Sequence, residues 1–361
     1  MRPHALAPAS TRESGIGRRV LLHAGVAAFQ SPGGGETQVV KTAEYLRKQG
    51  LRAKLFHPVR DRLADADCLH LFGTLPEHLA LVEAARRTGT RIALSTISWY
   101  DLACYWHLTP ETGRRLTCAA RFLIRAACPL LPSWRRRLYE QVDLLLPNSV
   151  AEARQLVRHF AAKPEKIFVV PNGADPRFAE AEPNAFAARF GLKDYLLYSG
   201  RIEPRKNQLT FLRAVEGLDV PVVILGDRVP GHEHYARECR SAAGRNVHFV
   251  GRLPHGSALL ASAYAAARCV ALVSWFETPG LAALEAGLSG TPLVVTSRGA
   301  TREYFGPHAL YAHPNRPKEI RAAVKAALRQ PRSADRARWV RERYTWDEVA
   351  LTTAKAYETV L

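Results

Sequence analysis

Paired cysteines, acidic residues in proportion to bases, and long apolar runs are all missing from this sequence, and each shortage removes a class of protein. Six cysteines, at 68, 104, 118, 128, 239 and 269, are widely spaced and form no C-x-x-C pair. That argues against a zinc site or a disulfide framework and suits a reducing cytosol. No segment offers the roughly 18 to 20 uninterrupted apolar residues that a membrane-spanning helix needs. The nearest candidate, Arg121 to Pro132, is broken by Arg125, Pro129 and Pro132. Met1 to Gly17 carries Pro, Ser and Arg without a continuous apolar stretch, so it reads as a short disordered tail and not as a secretory signal. Asp and Glu total 33 against 51 Lys and Arg, a formal charge of +18. Such a balance favours anionic partners (phosphorylated substrates, an acidic membrane face, nucleic acid) and also serves solubility alone. No recognition-helix, RNP or zinc-finger pattern accompanies the charge, so no specific nucleic-acid partner is expected, only weak, salt-dependent, sequence-blind binding.

What the chain does have is length and rhythm. Its 361 residues suit two α/β domains better than one core. Short β-branched runs alternate with longer helical stretches, the pattern of parallel sheets with crossover helices. The first half offers strands at 20–24, 53–57, 68–72, 92–96, 142–146 and 167–170, with a helix from about Glu36 to Lys48. Between Trp99 and Gln141 the rhythm lapses into Arg-rich helical material, an insert over about 100–141. Turn formers at Pro171-Asn172-Gly173-Ala174-Asp175-Pro176 mark a junction, and a second set of strands follows at 195–198, 222–225, 247–250, 269–273 and 293–295. The division is a tail over 1–17, a first domain over 18–175, a second over 176–345, and a final helix over 346–361 that returns to the first domain. Two such sheets facing each other enclose a cleft suited to a two-part substrate.

Two loops carry the chemistry. In Ser274-Trp275-Phe276-Glu277-Thr278-Pro279-Gly280-Leu281, with Glu285 further on, two carboxylates stand eight apart across a strand-to-helix junction. The helix start at Pro279 and Gly280 presents free N–H groups and a positive dipole end to hydroxyls or phosphates, and Glu285 can accept from the vicinal hydroxyls of a ribose. The bland reading has Glu277 capping the helix and Glu285 in water. The second loop, Gly200-Arg201-Ile202-Glu203-Pro204-Arg205-Lys206, sets two cations five residues apart, able to neutralise a departing diphosphate as a metal otherwise would.

Together these segments resemble the family 4 glycosyltransferases, also called glycosyl transferases group 1, over most of the chain from about Arg19. Gly200-Arg201 with Lys206 is similar to the family's G-R-x4-K motif, and Glu277 to Glu285 to its E-x7-E motif. Asp143 to Ser149, Lys166-Ile167 and Val170 to Asp175 resemble its junction signature; Val223 to Asp227 and Val250-Gly251-Arg252 resemble its nucleotide-side strands. The resemblance implies the α/β GT-B architecture, two doubly wound Rossmann-like domains across a cleft, and a retaining transferase that moves a hexose-type sugar from a nucleoside-diphosphate sugar to an acceptor hydroxyl. It implies no metal and no cofactor. Arg201 and Lys206 would bind the donor diphosphate, Glu285 the ribose, and Glu277 the donor sugar with the backbone of Gly280 and Leu281. Gly200, Gly226 and Arg252 would complete the donor side. Gly33-Gly34-Gly35-Glu36 is similar to the family's G-G-x-E loop, so Gly34 and Gly35 would approach the phosphates from across the cleft.

The chain departs from the family where many members carry a His, reading Ile97-Ser98-Trp99-Tyr100-Asp101 after Thr96. His70 becomes the acceptor-side candidate, with Asp101 and His107 weaker ones; for His70 the alternative is a structural histidine. Asp65-Ala66-Asp67 reads as a solvated turn and His232-Glu233-His234 as the polar start of a helix, neither as metal ligands. The insert, with Arg114-Arg115 and Arg135-Arg136-Arg137 among Phe122, Leu123, Ile124 and Trp134, reads either as a surface for anionic lipid or as a solvated helix pair. The family's range points to glycan or lipid-linked acceptors in polysaccharide or glycolipid assembly, with a cytoplasmic protein peripheral at the inner membrane face. The alternatives are a silent sugar-nucleotide-binding subunit, an epimerase or hydrolase, and a nucleic-acid-binding protein.

Overall fold

A computed structural model describes residues 17–30, 32–108 and 112–361; the tail expected over Met1 to Gly17 lies, except for Gly17, outside the described residues. Strands β1 (Arg19–His23), β2 (Arg52–Leu55), β3 (Cys68–Phe72), β4 (Arg91–Ser95) and β5 (Leu144–Leu145) form one parallel sheet, ordered β2-β1-β3-β4-β5. The second parallel sheet holds β6 (Tyr195–Ser199), β7 (Val222–Leu225), β8 (Val247–Gly251), β9 (Ala267–Leu272), β10 (Leu293–Thr296) and β11 (Leu310–Ala312), ordered β11-β10-β9-β6-β7-β8. Every residue of β3, β7 and β10 is buried. Helices cover both faces, which is why these runs are continuously apolar instead of alternating. The result is two doubly wound α/β halves.

Residues 167–170 form no strand. They run beside β5, with the Phe168 N–H on the Leu145 carbonyl at 2.9 Å and the Val170 N–H on the Pro147 carbonyl at 3.0 Å. Pro147 has no N–H to return, so the ladder stops after one bridge, Leu145 with Ile167. β11, only three residues long, has too short a run to stand out from sequence.

Strand order reverses between β1 and β3 and again between β6 and β9. Ligands of open α/β sheets collect beyond the carboxyl ends at such switch points. The loops leaving β6 and β9 are the two that carry the cations and the carboxylates. The chain passes between the halves twice, side by side: the Ala174 N–H donates to the Tyr344 carbonyl at 2.8 Å and the Trp346 N–H to the Ala174 carbonyl at 3.3 Å. A Cβ on Gly173 would lie 2.7 Å from the Thr345 backbone, so the crossing needs glycine. Helix Trp346–Glu358 then lies on helix Gly34–Lys48, and Trp346, Val349, Ala350 and Tyr357 join the apolar core of the first sheet.

His70 proves to belong to that union and not to an acceptor site. It sits mid-strand, fully buried, with Nδ1 2.7 Å from the Tyr357 hydroxyl and Nε2 2.9 Å from Ser95 Oγ. Burial pushes its pKa down to about 3. A histidine kept neutral by the fold stabilises fully above its unfolded pKa near 6.5 and progressively less as pH falls from there towards 3. Lowering the pH from 7.5 to 5 should therefore cost roughly 2 kcal/mol through His70 alone, with His78, held near 4 by burial, adding to the slope. Denaturant titrations of His70→Gln check this: the variant should be less stable at pH 7.5 yet lose less on acidification, and an unchanged slope would assign the acid sensitivity elsewhere.

Candidate functional site

A cleft of about 710 Å³ opens between the two sheets, and one set of walls gathers Gly34, Gly35, Gly200, Arg201, Lys206, Gly226, Arg252, Glu277, Gly280, Leu281 and Glu285. The size suits a nucleotide sugar. From the β9 side, Glu277 is buried and bonded twice, by Lys206 Nζ at 2.6 Å and by Ser274 Oγ at 2.6 Å, both on Oε1. Burial alone would raise its carboxyl, but the charges of Lys206 and Arg205 outweigh that and hold it below the ordinary carboxylate range. Burial also lowers Lys206, against the pull of Glu277. The candidate phosphate cation and the candidate sugar-facing carboxylate thus bond each other, using one of the three ammonium donors.

The Glu277 loop is fastened from behind. Its carbonyl accepts the Ala300 N–H at 2.9 Å, and Gly299, at φ +93°, comes so close that a Cβ there would overlap the same carbonyl. Gly280, at φ +90°, starts helix Leu281–Leu288. Among the described residues no side chain caps that helix, so Glu277 is not a cap, and the first-turn residues Leu281 and Ala282 line the cleft with the dipole end positive. Glu285 is buried, not in water, and takes His255 Nε2 on Oε1 at 2.8 Å. Gly226 is required by contact: at φ +145° a Cβ would collide with the Gly200 carbonyl, so β6 and β7 end pressed together. The exposed Arg252 is set at the rim by its N–H on Asp227 at 3.1 Å.

Across the cleft, the Gly33 N–H donates to Glu36 Oε2 at 2.7 Å, turning the glycines into the start of helix Gly34–Lys48. A Cβ on Gly33 would stand 3.1 Å from the Arg201 guanidinium carbon, and one on Gly34 3.6 Å from Leu281. The halves meet at these glycines, whereas Gly35 faces open space.

Asp101 does not line this cleft. Its carboxylate pairs with Arg298 of the other half and accepts the Ala103 N–H at 2.9 Å, starting helix Leu102–Leu108. An aspartate so engaged is an interdomain tie, not a free base. The same helix lays His107 flat on Trp275, with ring centroids 4.1 Å apart, and Trp99 stacks on Phe276. The insert is thereby attached to the loop that carries Glu277. Where the family's His was expected, Ile97 lines the cleft with φ +43°, an unfavourable conformation for a β-branched residue. Buried Glu152 holds it there, accepting from Thr96 Oγ1 at 2.5 Å and the Ser98 N–H at 2.7 Å. Sequence reasoning missed His255, Glu152 and the Ser274 bond. Asp67 accepts the Arg19 N–H at 2.7 Å and His234 pairs with Glu238; among the described residues no acidic, His or Cys cluster could hold a metal.

The model of "Glycosyltransferase Family 4" matches residues 32–178, and that of "Glycosyl transferases group 1" matches 184–346. Curated relatives include the D-inositol 3-phosphate glycosyltransferases of Geodermatophilus obscurus, 31% identical over 60% of this chain and 52% of the relative, and of Streptomyces coelicolor, 31% identical over 61% and 56%. The chain spans about half the length of the curated relatives it matches. Among solved structures, the sucrose-phosphate synthase of Thermosynechococcus elongatus aligns with TM-score 0.73 at 17% identity, over 95% of this chain and 99% of that one. Anabaena HepE, solved with UDP and glucose, gives 0.70 at 16%, over 95% and 100%. Two models in tandem, one over each sheet, and the shared two-domain architecture place the protein: it belongs to the group 1, family 4 glycosyltransferases of the GT-B fold.

Proposed function

We propose that the protein is a retaining, metal-independent glycosyltransferase that moves a sugar from a nucleoside-diphosphate sugar to an acceptor hydroxyl. The Lys206–Glu277 pair, half-buried at the lysine and buried at the carboxylate, carries the reading, set at a strand switch point beside an uncapped helix start in the cleft that Arg201 also lines. Arg201 and Lys206 take the diphosphate with the amides of Gly34 and Gly35 opposite, Glu285 takes the ribose, and Glu277 with the Gly280 and Leu281 backbone faces the sugar. The acceptor oxygen bonds to the anomeric carbon as the bond from that carbon to the phosphate oxygen breaks. The departing phosphate oxygen takes the acceptor proton, so products are the glycoside and the nucleoside diphosphate. Fixed positive charge that strengthens its grip as the leaving group gains charge lowers the barrier. HepE, solved with UDP-glucose, supports a uridine donor by analogy of fold.

The acceptor is a glycan or a lipid-linked glycan. No described helix is long and apolar enough to cross a membrane, but helix Thr112–Ala127 exposes Leu116, Leu123 and Ile124 as well as Arg114 and Arg121. The leucines and these arginines project from opposite sides of the helix, and a helix so divided would lie on anionic lipid at the inner membrane surface with its apolar side down. The silent-subunit reading draws on Ile97, which offers no acid or base at the cleft. Thermal unfolding with UDP-, GDP-, ADP- and TDP-sugars, each with and without EDTA, tests the proposal. One nucleotide should raise stability by about 2.7 kcal/mol at a hundredfold excess over its Kd, unchanged by EDTA. A shift that EDTA removes would overturn metal independence, and no shift with any nucleotide would overturn the donor site. Donor consumed without acceptor would mark a hydrolase or epimerase.

A further inference from the structure

A second cavity, of about 310 Å³, lies in the first half and shares no lining residue with the donor cleft. Helix Val150–Phe160 forms its floor through Arg154, Gln155, Arg158 and His159. Residues 154 and 158 are one helical turn apart, as are 155 and 159, so the four make one stripe. Both arginines are exposed, and neither has an ion-pair or hydrogen-bond partner among the described residues. Gln155 accepts the Tyr100 N–H at 2.8 Å, which leaves its amide N–H groups for other use. His159 is 5% exposed, and its buried Nδ1 has no partner among the described residues. A buried polar atom left without a bond is unfavourable, and a bound ligand would relieve it. The remaining walls are Tyr100, Leu102, Phe122 and Asp101. The one carboxylate among the described lining residues, Asp101, is neutralised by Arg298 and does not repel an anion.

We propose that this cavity is a second ligand site which binds a phosphate group, with Arg154 and Arg158 clamping its oxygens, His159 and Gln155 completing the shell, and Tyr100 and Phe122 forming an apolar wall for whatever the phosphate is attached to. Paired guanidiniums one turn apart match the planar, multi-oxygen geometry of phosphate. The site stands apart from the transferase reading, since none of its residues belongs to the donor cleft. The phosphate could sit on a free small molecule or on a lipid headgroup, and the two differ in how much they use the apolar wall.

Calorimetric titration of the full chain without nucleotide, at constant ionic strength, tests this, and the arginine double variant tells this site from the donor cleft. The probes are inorganic phosphate, glycerol 3-phosphate and a water-soluble dibutyroyl phosphatidate. At least one should bind saturably, and Arg154→Gln/Arg158→Gln should weaken it tenfold or more, while Arg245→Gln, a distant surface change, leaves it alone. A phosphatidate preference that Phe122→Ala abolishes assigns the site to a lipid headgroup; equal binding of glycerol 3-phosphate and phosphatidate assigns it to soluble phosphate esters. Binding that is non-saturable, or that the double variant leaves unchanged, would overturn the proposal. Because both arginines are solvent-exposed, the double variant should keep the parent's melting profile. Should it not, Arg154→Lys/Arg158→Lys, which retains charge but loses the fork, must weaken binding or the clamp is wrong.

Discussion

Lys206→Ala should cost about 3–5 kcal/mol of stability, because it strands Glu277 as a buried charge with its strongest partner removed. The loss has a pH signature. Without Lys206, the burial that already pushes the carboxyl up is opposed mainly by Arg205 and Ser274, so the folded-state pKa of Glu277 rises. A carboxyl raised in the folded state is relieved as pH falls through that pKa, and the gap between parent and variant should narrow from pH 8 to pH 5. Urea titrations at both values check it, and a gap independent of pH would contradict the ion-pair account. Ligand binding divides the roles further. Lys206→Ala should weaken the nucleoside diphosphate about 100-fold, near 2.7 kcal/mol, while barely touching the bare nucleoside. Glu285→Ala should weaken both, since the ribose is common to them. If the two variants behave alike, the phosphate and ribose ends have been wrongly assigned.

The second large effect lies behind the site. Gly299→Ala places a methyl within overlap of the Glu277 carbonyl, and 2.7 Å from its nitrogen, at a φ of +93° that alanine resists. The left-handed conformation alone costs of order 1 kcal/mol, and the overlap can be relieved only by moving one backbone off the other. The Glu277 loop would have to give way, carrying the carboxylate from Lys206. The expected result is a stability loss above about 3 kcal/mol together with loss of nucleotide binding, although residue 299 is no part of the cleft lining. Gly35→Ala is the contrast: among the described residues nothing beyond its own turn of helix lies within 4 Å of the added methyl, so the fold should tolerate it. If Gly299→Ala bound nucleotide normally, the close packing would not be positioning Glu277.

How much of this was legible depended on how local each feature is. The buried parallel strands announce themselves as runs of four or five apolar residues, and Gly200 to Lys206 and Glu277 to Glu285 each sit within one strand-loop-helix passage, so periodicity and turn chemistry locate them. Residues 167–170 misled because one proline on the neighbouring strand, Pro147, ends the ladder. His255 meets Glu285 across 30 residues, and Glu152 reaches Thr96 across 56; no local pattern records contacts that only the fold creates. His70 and Asp101 failed for a related reason. Their places in the first half were readable, but their partners, Tyr357 and Arg298, come from elements near the other end of the chain.

The helix Trp346–Glu358 has a consequence for how the protein is made. It covers helix Gly34–Lys48, whose Val39, Ala43 and Leu46 are buried in the same core as Trp346 and Tyr357. During translation that apolar face is synthesised early and its cover late, on the order of 15 to 60 s afterwards at about 5–20 residues per second. For that interval the nascent first half carries an open greasy seam, a natural client for ribosome-associated chaperones. A premature stop anywhere in the second half would therefore release a fragment that is sticky as well as incomplete, and separate expression of the first half should succeed only when this helix is supplied with it.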